Sequence, residues 1–232
     1  MGAPVQPYYE QQVVRHRNDD GSESAATWMV AENTSTNIPI NTPFRFRVRV
    51  AQTISNANQN LNKEFTLRYS LNSGSYSVIA AINATTAPVR FANSAYVSDG
   101  DSTTRQLTIG NGTFITGRID NNNTTGLLAF SGTSYTELEF IIELYGPLLV
   151  VGDGVRLRVY ETNGTALNNY SQTVLSNPSF GTTGSLVVAE KGLDRALALY
   201  QTPSIVTPFA TAQGAGSVLL TWGVDPDYGV YD

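Results

Sequence analysis

Two carboxylates, Glu137 and Glu139, sit two residues apart in Tyr135-Thr136-Glu137-Leu138-Glu139-Phe140. On a strand they share a face at about 7 Å. Paired carboxylates are the residues that glycoside hydrolysis needs. Simple alternation on a solvated strand face explains them better, so surface charge is the expectation. The one histidine, His16, lies between Arg15 and Arg17. A Ser–His–Asp triad would have to use it, but no Gly-x-Ser-x-Gly elbow is present. A metal site built on several histidines is excluded by count. Asp19-Asp20-Gly21-Ser22-Glu23 and Asp99-Gly100-Asp101 resemble pieces of calcium loops, yet neither has the full EF-hand spacing. Turn chemistry accounts for both. Gly110-Asn111-Gly112, Gly152-Asp153-Gly154 and Gly214-Ala215-Gly216 lack the Lys-Ser/Thr that a phosphate cradle requires. With no Cys in the chain, disulfides, thiolate metal sites and a Cys nucleophile are ruled out. The expectation is a protein that is not an enzyme, with no catalytic residue, cofactor or metal.

The elements around these residues read as strands. Phe44-Arg45-Phe46-Arg47-Val48-Arg49-Val50 and Val155-Arg156-Leu157-Arg158-Val159 alternate apolar and charged residues without a break. Period-two alternation marks a half-buried strand, with one face to a core and the other to solvent or a partner. The longest pattern runs from Tyr135 to Tyr145. It puts Thr136, Leu138, Phe140, Ile142 and Leu144 on one face, and Glu137, Glu139, Ile141 and Glu143 on the other. Antiparallel pairing of this strand with Val155–Tyr160 would set Glu137, Glu139 or Glu143 against Arg156 and Arg158. Such cross-strand pairs fix register more than stability, at a few tenths to about 1 kcal/mol each.

Further strands are expected at Gln11–Arg17, Ala26–Ala31, Phe65–Tyr69 and Asn169–Leu175. Hairpins are expected at Phe65–Ile79 around Asn72-Ser73-Gly74, and at Leu107–Thr116 around Gly110-Asn111-Gly112. Roughly ten short strands with turn signals between them predict an all-β fold, an antiparallel β-sandwich or jelly roll. Three regions are expected. Residues 1–10 form an extended N-terminal arm, 11–176 the body, and 177–232 a C-terminal extension. The extension holds one short helix over about 188–200 and a last strand over about 217–222. Aromatics of the arm and extension, Tyr8, Tyr9, Tyr200, Phe209, Trp222, Tyr228 and Tyr231, are the candidate interaction residues. Tyrosine and tryptophan combine an apolar body with a hydrogen-bonding tip.

The net charge of −5 argues against nucleic acid as a partner, because phosphate binding needs a basic surface. Only 14% of residues are charged, so Asn, Thr, Ser and Gly supply much of the polarity. That suits contact with protein surfaces or glycans. Twelve Arg stand against two Lys, Lys63 and Lys191, a skew that favours planar, geometrically fixed carboxylate pairing. No apolar run reaches the length of a membrane span. The first residues, Met1-Gly2-Ala3-Pro4-Val5-Gln6-Pro7, carry neither a basic nor an apolar leader region. The expectation is a leaderless protein made in the cytoplasm.

The stretch Arg15–Glu23 with Ala26-Thr27-Trp28, followed by Phe44–Val50 and Tyr135–Phe140, resembles a β-sandwich module of tailed-phage virion proteins and of bacterial surface proteins. The resemblance spans about residues 11–176. It implies a structural virion protein, above all a capsid decoration (cement) protein on the outside of a phage head. Such a protein would be a homo-oligomer, a trimer by preference, whose arms engage the major capsid protein or other virion proteins. It would bind neither nucleic acid nor membrane. The alternative it implies is a tail or tail-fibre structural, receptor-binding or glycan-binding module.

Overall fold

The computed structural model describes residues 8–54, 61–180, 186–188 and 197–199. The chain divides between Ser179 and Phe180 into two compact units, and each is taken by itself.

The first unit is built from β-strands. In chain order they are β1 (Tyr8–Asn18), β2 (Thr36–Pro39), β3 (Phe44–Ile54), β4 (Leu61–Lys63) and β5 (Phe65–Leu71). Then come β6 (Ser77–Val78), β7 (Val89–Phe91), β8 (Thr113–Ile115), β9 (Ile119–Asp120) and β10 (Leu128–Phe130). The last are β11 (Ser134–Leu144), β12 (Val155–Glu161), β13 (Asn169–Tyr170) and β14 (Leu175–Ser179). One sheet runs β13-β1-β3-β11-β7, with β8 and β9 also bonded to β11. A second runs β2-β14-β12-β5-β6, and β10 pairs with β4 in a small third sheet. The three longest strands, β1, β3 and β11, have eleven residues each and form the centre of the first sheet.

The two large sheets pack face to face. His16 of β1 places Nε2 2.7 Å from Ser176 Oγ of β14. Gln11 Oε1 of β1 accepts from the Val159 amide of β12 at 2.9 Å. Alternation explains this inner layer. Phe44, Phe46, Val48 and Val50 point inward from β3, with Leu138, Phe140 and Ile142 from β11 and Val155, Leu157 and Val159 from β12, and all are buried. Each such side chain contributes about 1.5–3 kcal/mol of burial. The all-β sandwich expected from the strand pattern is therefore the fold of this unit.

Several local expectations are corrected. Tyr8, Tyr9 and Glu10 belong to β1, paired with Ile54, Gln52 and Ala51, so they are not part of a free arm. Ala26–Ala31 makes only an isolated bridge, Arg17 to Trp28, with the Asn18 amide donating to Thr27 O and the Met29 amide to His16 O beside β1. Leu107–Ile109 is not a strand, and β8 pairs parallel with β11 in place of a hairpin. Asn169–Leu175 splits between β13 and β14, which join different sheets.

Within the second unit the described residues form one antiparallel pair, β15 (Leu186–Val188) with β16 (Leu197–Leu199). The helix expected over 188–200 is not formed at these residues. β-branched Val187 and Val188 favour a strand, and Gly192 weakens a helix between the two runs. The strand expected at 217–222 lies outside the described residues.

Candidate functional site

The side of the first sheet that faces away from the second carries charge at every other position. In-register pairing sets Arg47 opposite Glu139 and Arg49 opposite Glu137 across β3 and β11. Arg15 and Arg17 stand opposite Arg47 and Arg45 across β1 and β3. This is the face expected to be solvated. It is buried instead: all eleven residues of β11 are buried, and Arg17, Arg45, Arg47, Glu137 and Glu139 are each 0% exposed.

Three guanidiniums and four carboxylates interlock there. Arg47 Nη1 lies 2.9 Å from Glu139 Oε2 and 2.8 Å from Glu23 Oε1, and its Nε lies 2.9 Å from Glu137 Oε2. Arg45 holds Asp19 at 2.6 Å and Glu139 Oε1 at 3.3 Å. Arg17 holds Glu139 Oε2 at 3.2 Å. Glu139 is thus shared by all three arginines. A charge buried in this way survives only when it is paired and hydrogen-bonded on every side.

The network fixes two loops over the sheet. Residues 19–32 are held by Arg17 Nε and Nη2 donating to Ala26 O at 3.0 and 2.9 Å, and by Arg15 Nε donating to Val30 O at 2.6 Å. Trp28 lies under both guanidiniums, 4.4 Å from Arg15 Cζ and 4.6 Å from Arg17 Cζ. Residues 103–108 are held by the Leu107 and Gln106 amides donating to Glu137 at 2.9–3.1 Å, and by Arg47 and Arg49 donating to the Thr104 and Thr108 carbonyls. Glu23 ties the loops together by accepting from the Thr104 amide at 2.8 Å.

The protonation states follow from this packing. Burial would raise the Glu23 carboxyl, but the Thr104 amide and the Arg47 charge hold it below the usual range. Burial also works against the Arg47 cation, yet Glu139 and Glu137 raise it overall. Burial lowers Arg17 despite its Glu139 contact. Glu137 and Glu139 are enclosed by arginines and backbone amides, with neither side chain reaching solvent. The arrangement is a brace between sheet and loops.

The expected partners of the glutamates are corrected on the same grounds. β11 pairs with β3, not β12, so Glu137 and Glu139 meet Arg17, Arg45 and Arg47. Glu143 pairs with Arg90 of β7. Arg156 and Arg158 belong to the other sheet, where Arg156 donates to Ser73 Oγ and Arg158 Nε to Thr173 Oγ1 at 3.4 Å. Among the candidate aromatics, Tyr8 is half-buried, while Tyr9 is 1% exposed and packs edge-on against Phe65 and Phe130 with centroids at 6.2 and 5.3 Å. Tyr9 is therefore a core residue, not an anchor. Tyr200, Phe209, Trp222, Tyr228 and Tyr231 lie outside the described residues.

Asp19, Glu23, Arg17 and Trp28 are the members that reading along strands overlooked. Three of them lie in or beside a turn, and turn chemistry masked their long-range partners. The available signal was the match between Arg-x-Arg-x-Arg on one strand and Glu-x-Glu on another. At the far end of β11, the connection to β12 exposes Leu148, Val150 and Val151 at 43%, 60% and 47%. Among the described residues no helix is long and apolar enough to cross a membrane. No family model, curated protein or solved structure matches this chain.

Proposed function

We propose that this chain is a structural protein of a virus particle, a decoration protein that binds the outside of a phage head and stiffens it as a homo-oligomer. The observation that carries the reading is the buried Arg–Glu brace. It spends the charges of the central sheet on fixing two surface loops, which suits a body that transmits load and does not suit one that turns over substrate. The exposed Leu148, Val150 and Val151 supply a compact apolar tip of the kind that marks a protein contact. Repetition on a symmetric shell would turn weak single contacts into firm attachment.

The test adds the purified protein to phage particles prepared without it and follows co-sedimentation and resistance to heat. Saturable binding that raises the temperature of genome release is expected. Leu148→Asp with Val150→Asp should weaken it. Particles that take up no protein would overturn the reading.

A further inference from the structure

The outward face of the second sheet has a different chemistry. Arg158 of β12 stands directly opposite Arg68 of β5, and Arg156 lies two residues away on the same face. Like charges placed directly opposite one another destabilise a sheet. Arg17, Arg45, Arg47 and Arg90 each hold a carboxylate, but among the described residues none pairs with Arg68, Arg156 or Arg158. This cationic face belongs to a chain whose net charge is −5.

Tyrosines take the place of acids. Arg158 Cζ lies 4.7 Å from the Tyr76 ring centroid and 4.4 Å from that of Tyr170. Arg68 Cζ lies 4.8 Å from the Tyr160 ring. The rings adjoin one another, with centroids at 5.9 Å for Tyr76–Tyr160 and 6.1 Å for Tyr160–Tyr170. Tyr170 is anchored through its hydroxyl, which donates to Val159 O at 2.7 Å. Gly164, at φ +89°, makes room for Arg68: a Cβ there would sit 2.9 Å from Nη2. A guanidinium held on aromatic faces keeps its N–H edge for a planar oxyanion. Arg68 Nε is a buried donor with no acceptor among the described residues.

We propose that this face binds an acidic polysaccharide, whose carboxylate or sulfate groups are gripped by Arg68, Arg156 and Arg158. The proposal goes beyond the particle reading and does not depend on it. A sugar chain fits better than an acidic peptide strand because β5 and β12 already spend their backbone groups on each other, leaving side chains alone to make contact. The hydroxyls of Ser73 and Thr173, bonded to Arg156 and Arg158, add the donors and acceptors that sugars match.

The test measures binding of the full chain to immobilised polygalacturonate, heparin, neutral dextran and poly-L-glutamate, each at low and high salt. Binding to polygalacturonate or heparin is expected, with none to dextran. Polygalacturonate alone would assign a carboxylated ligand, and heparin alone a sulfated one. Arg68→Gln with Arg158→Gln should weaken binding by about ten-fold or more, with a thermal midpoint no lower than that of the parent. If that variant fails to fold, Arg156→Gln carries the same expectation, since its contact is to an exposed serine. Failure of both acidic polysaccharides to bind, undiminished binding by the variants, or a preference for poly-L-glutamate would overturn the proposal. None of these results bears on attachment to a particle.

Discussion

Arg47 and Glu139 are direct cross-strand partners on β3 and β11, joined at 2.9 Å with neither side chain reaching solvent. Glu139 also receives Arg17 and Arg45, so three guanidiniums share one carboxylate. Replacing it with the isosteric amide takes from Arg17 its one carboxylate among the described residues, in a dry site, while Arg45 keeps Asp19 and Arg47 keeps Glu23 and Glu137. Glu139→Gln is expected to cost about 3–5 kcal/mol, read as a lower denaturant midpoint. Glu143→Gln, whose pair with Arg90 is partly solvated, should cost about 1 kcal/mol or less. Equal losses would show that the shared carboxylate has no special weight.

Gly117 lies between β8 and β9, where the chain crosses closest to β11. A Cβ there would sit 1.9 Å from Glu137 O and 2.8 Å from Thr103 Oγ1. Backbone atoms of a central strand cannot give way cheaply. Gly117→Ala is expected to destabilise the fold by about 1–3 kcal/mol or more, and amide exchange should rise first in residues 113–120.

His16 sets one side of the acid response. Burial between the sheets lowers its pKa from 6.5 to about 4. The unfolded chain therefore takes up the proton first. Stability is complete above pH 6.5 and falls as pH drops toward 4, by about 3 kcal/mol in total. In denaturant titrations His16→Gln should flatten this part of the pH profile. A profile just as steep without the histidine would contradict the assignment.

Asp120 acts in the opposite sense. It is 0% exposed, its Oδ2 has no partner among the described residues, and burial raises its pKa from 3.8 to about 6. Here the folded chain holds the proton more tightly. The charged form therefore costs stability above pH 6, and the cost disappears as pH falls below 4. Asp120→Asn should stabilise the protein at pH 8 by about 1–3 kcal/mol and change little at pH 4. Loss of stability at pH 8 would show that the bond from the Asn122 amide to Oδ1 outweighs the cost of burying the charge.

The strands themselves were legible in the sequence. Alternation located Phe44–Val50, Tyr135–Tyr145 and Val155–Tyr160 to within a few residues of β3, β11 and β12, because a period of two is a local property. Which strand pairs with which is not local. Proximity in the chain suggested β11 with β12, but the connection carries β12 into the other sheet, and the charge match lay with β3, some ninety residues away. Solvation was misread for a related reason. A polar strand face looks the same in sequence whether water or a loop covers it. The loops that cover this one hold it partly through Asp19 and Glu23 and partly through backbone carbonyls and amides, and the backbone groups have no residue signature. Tyr9 misled in the same way, since a tyrosine near a terminus gives no sign of whether its ring meets a partner or its own core.

The proposal of a structural particle protein is tested most directly by the protein's abundance in phage particles purified from cells that carry the gene, by quantitative densitometry against the major capsid protein. The account predicts copies on the order of hundreds, in fixed ratio to the capsid lattice. A handful of copies, or none, would contradict it.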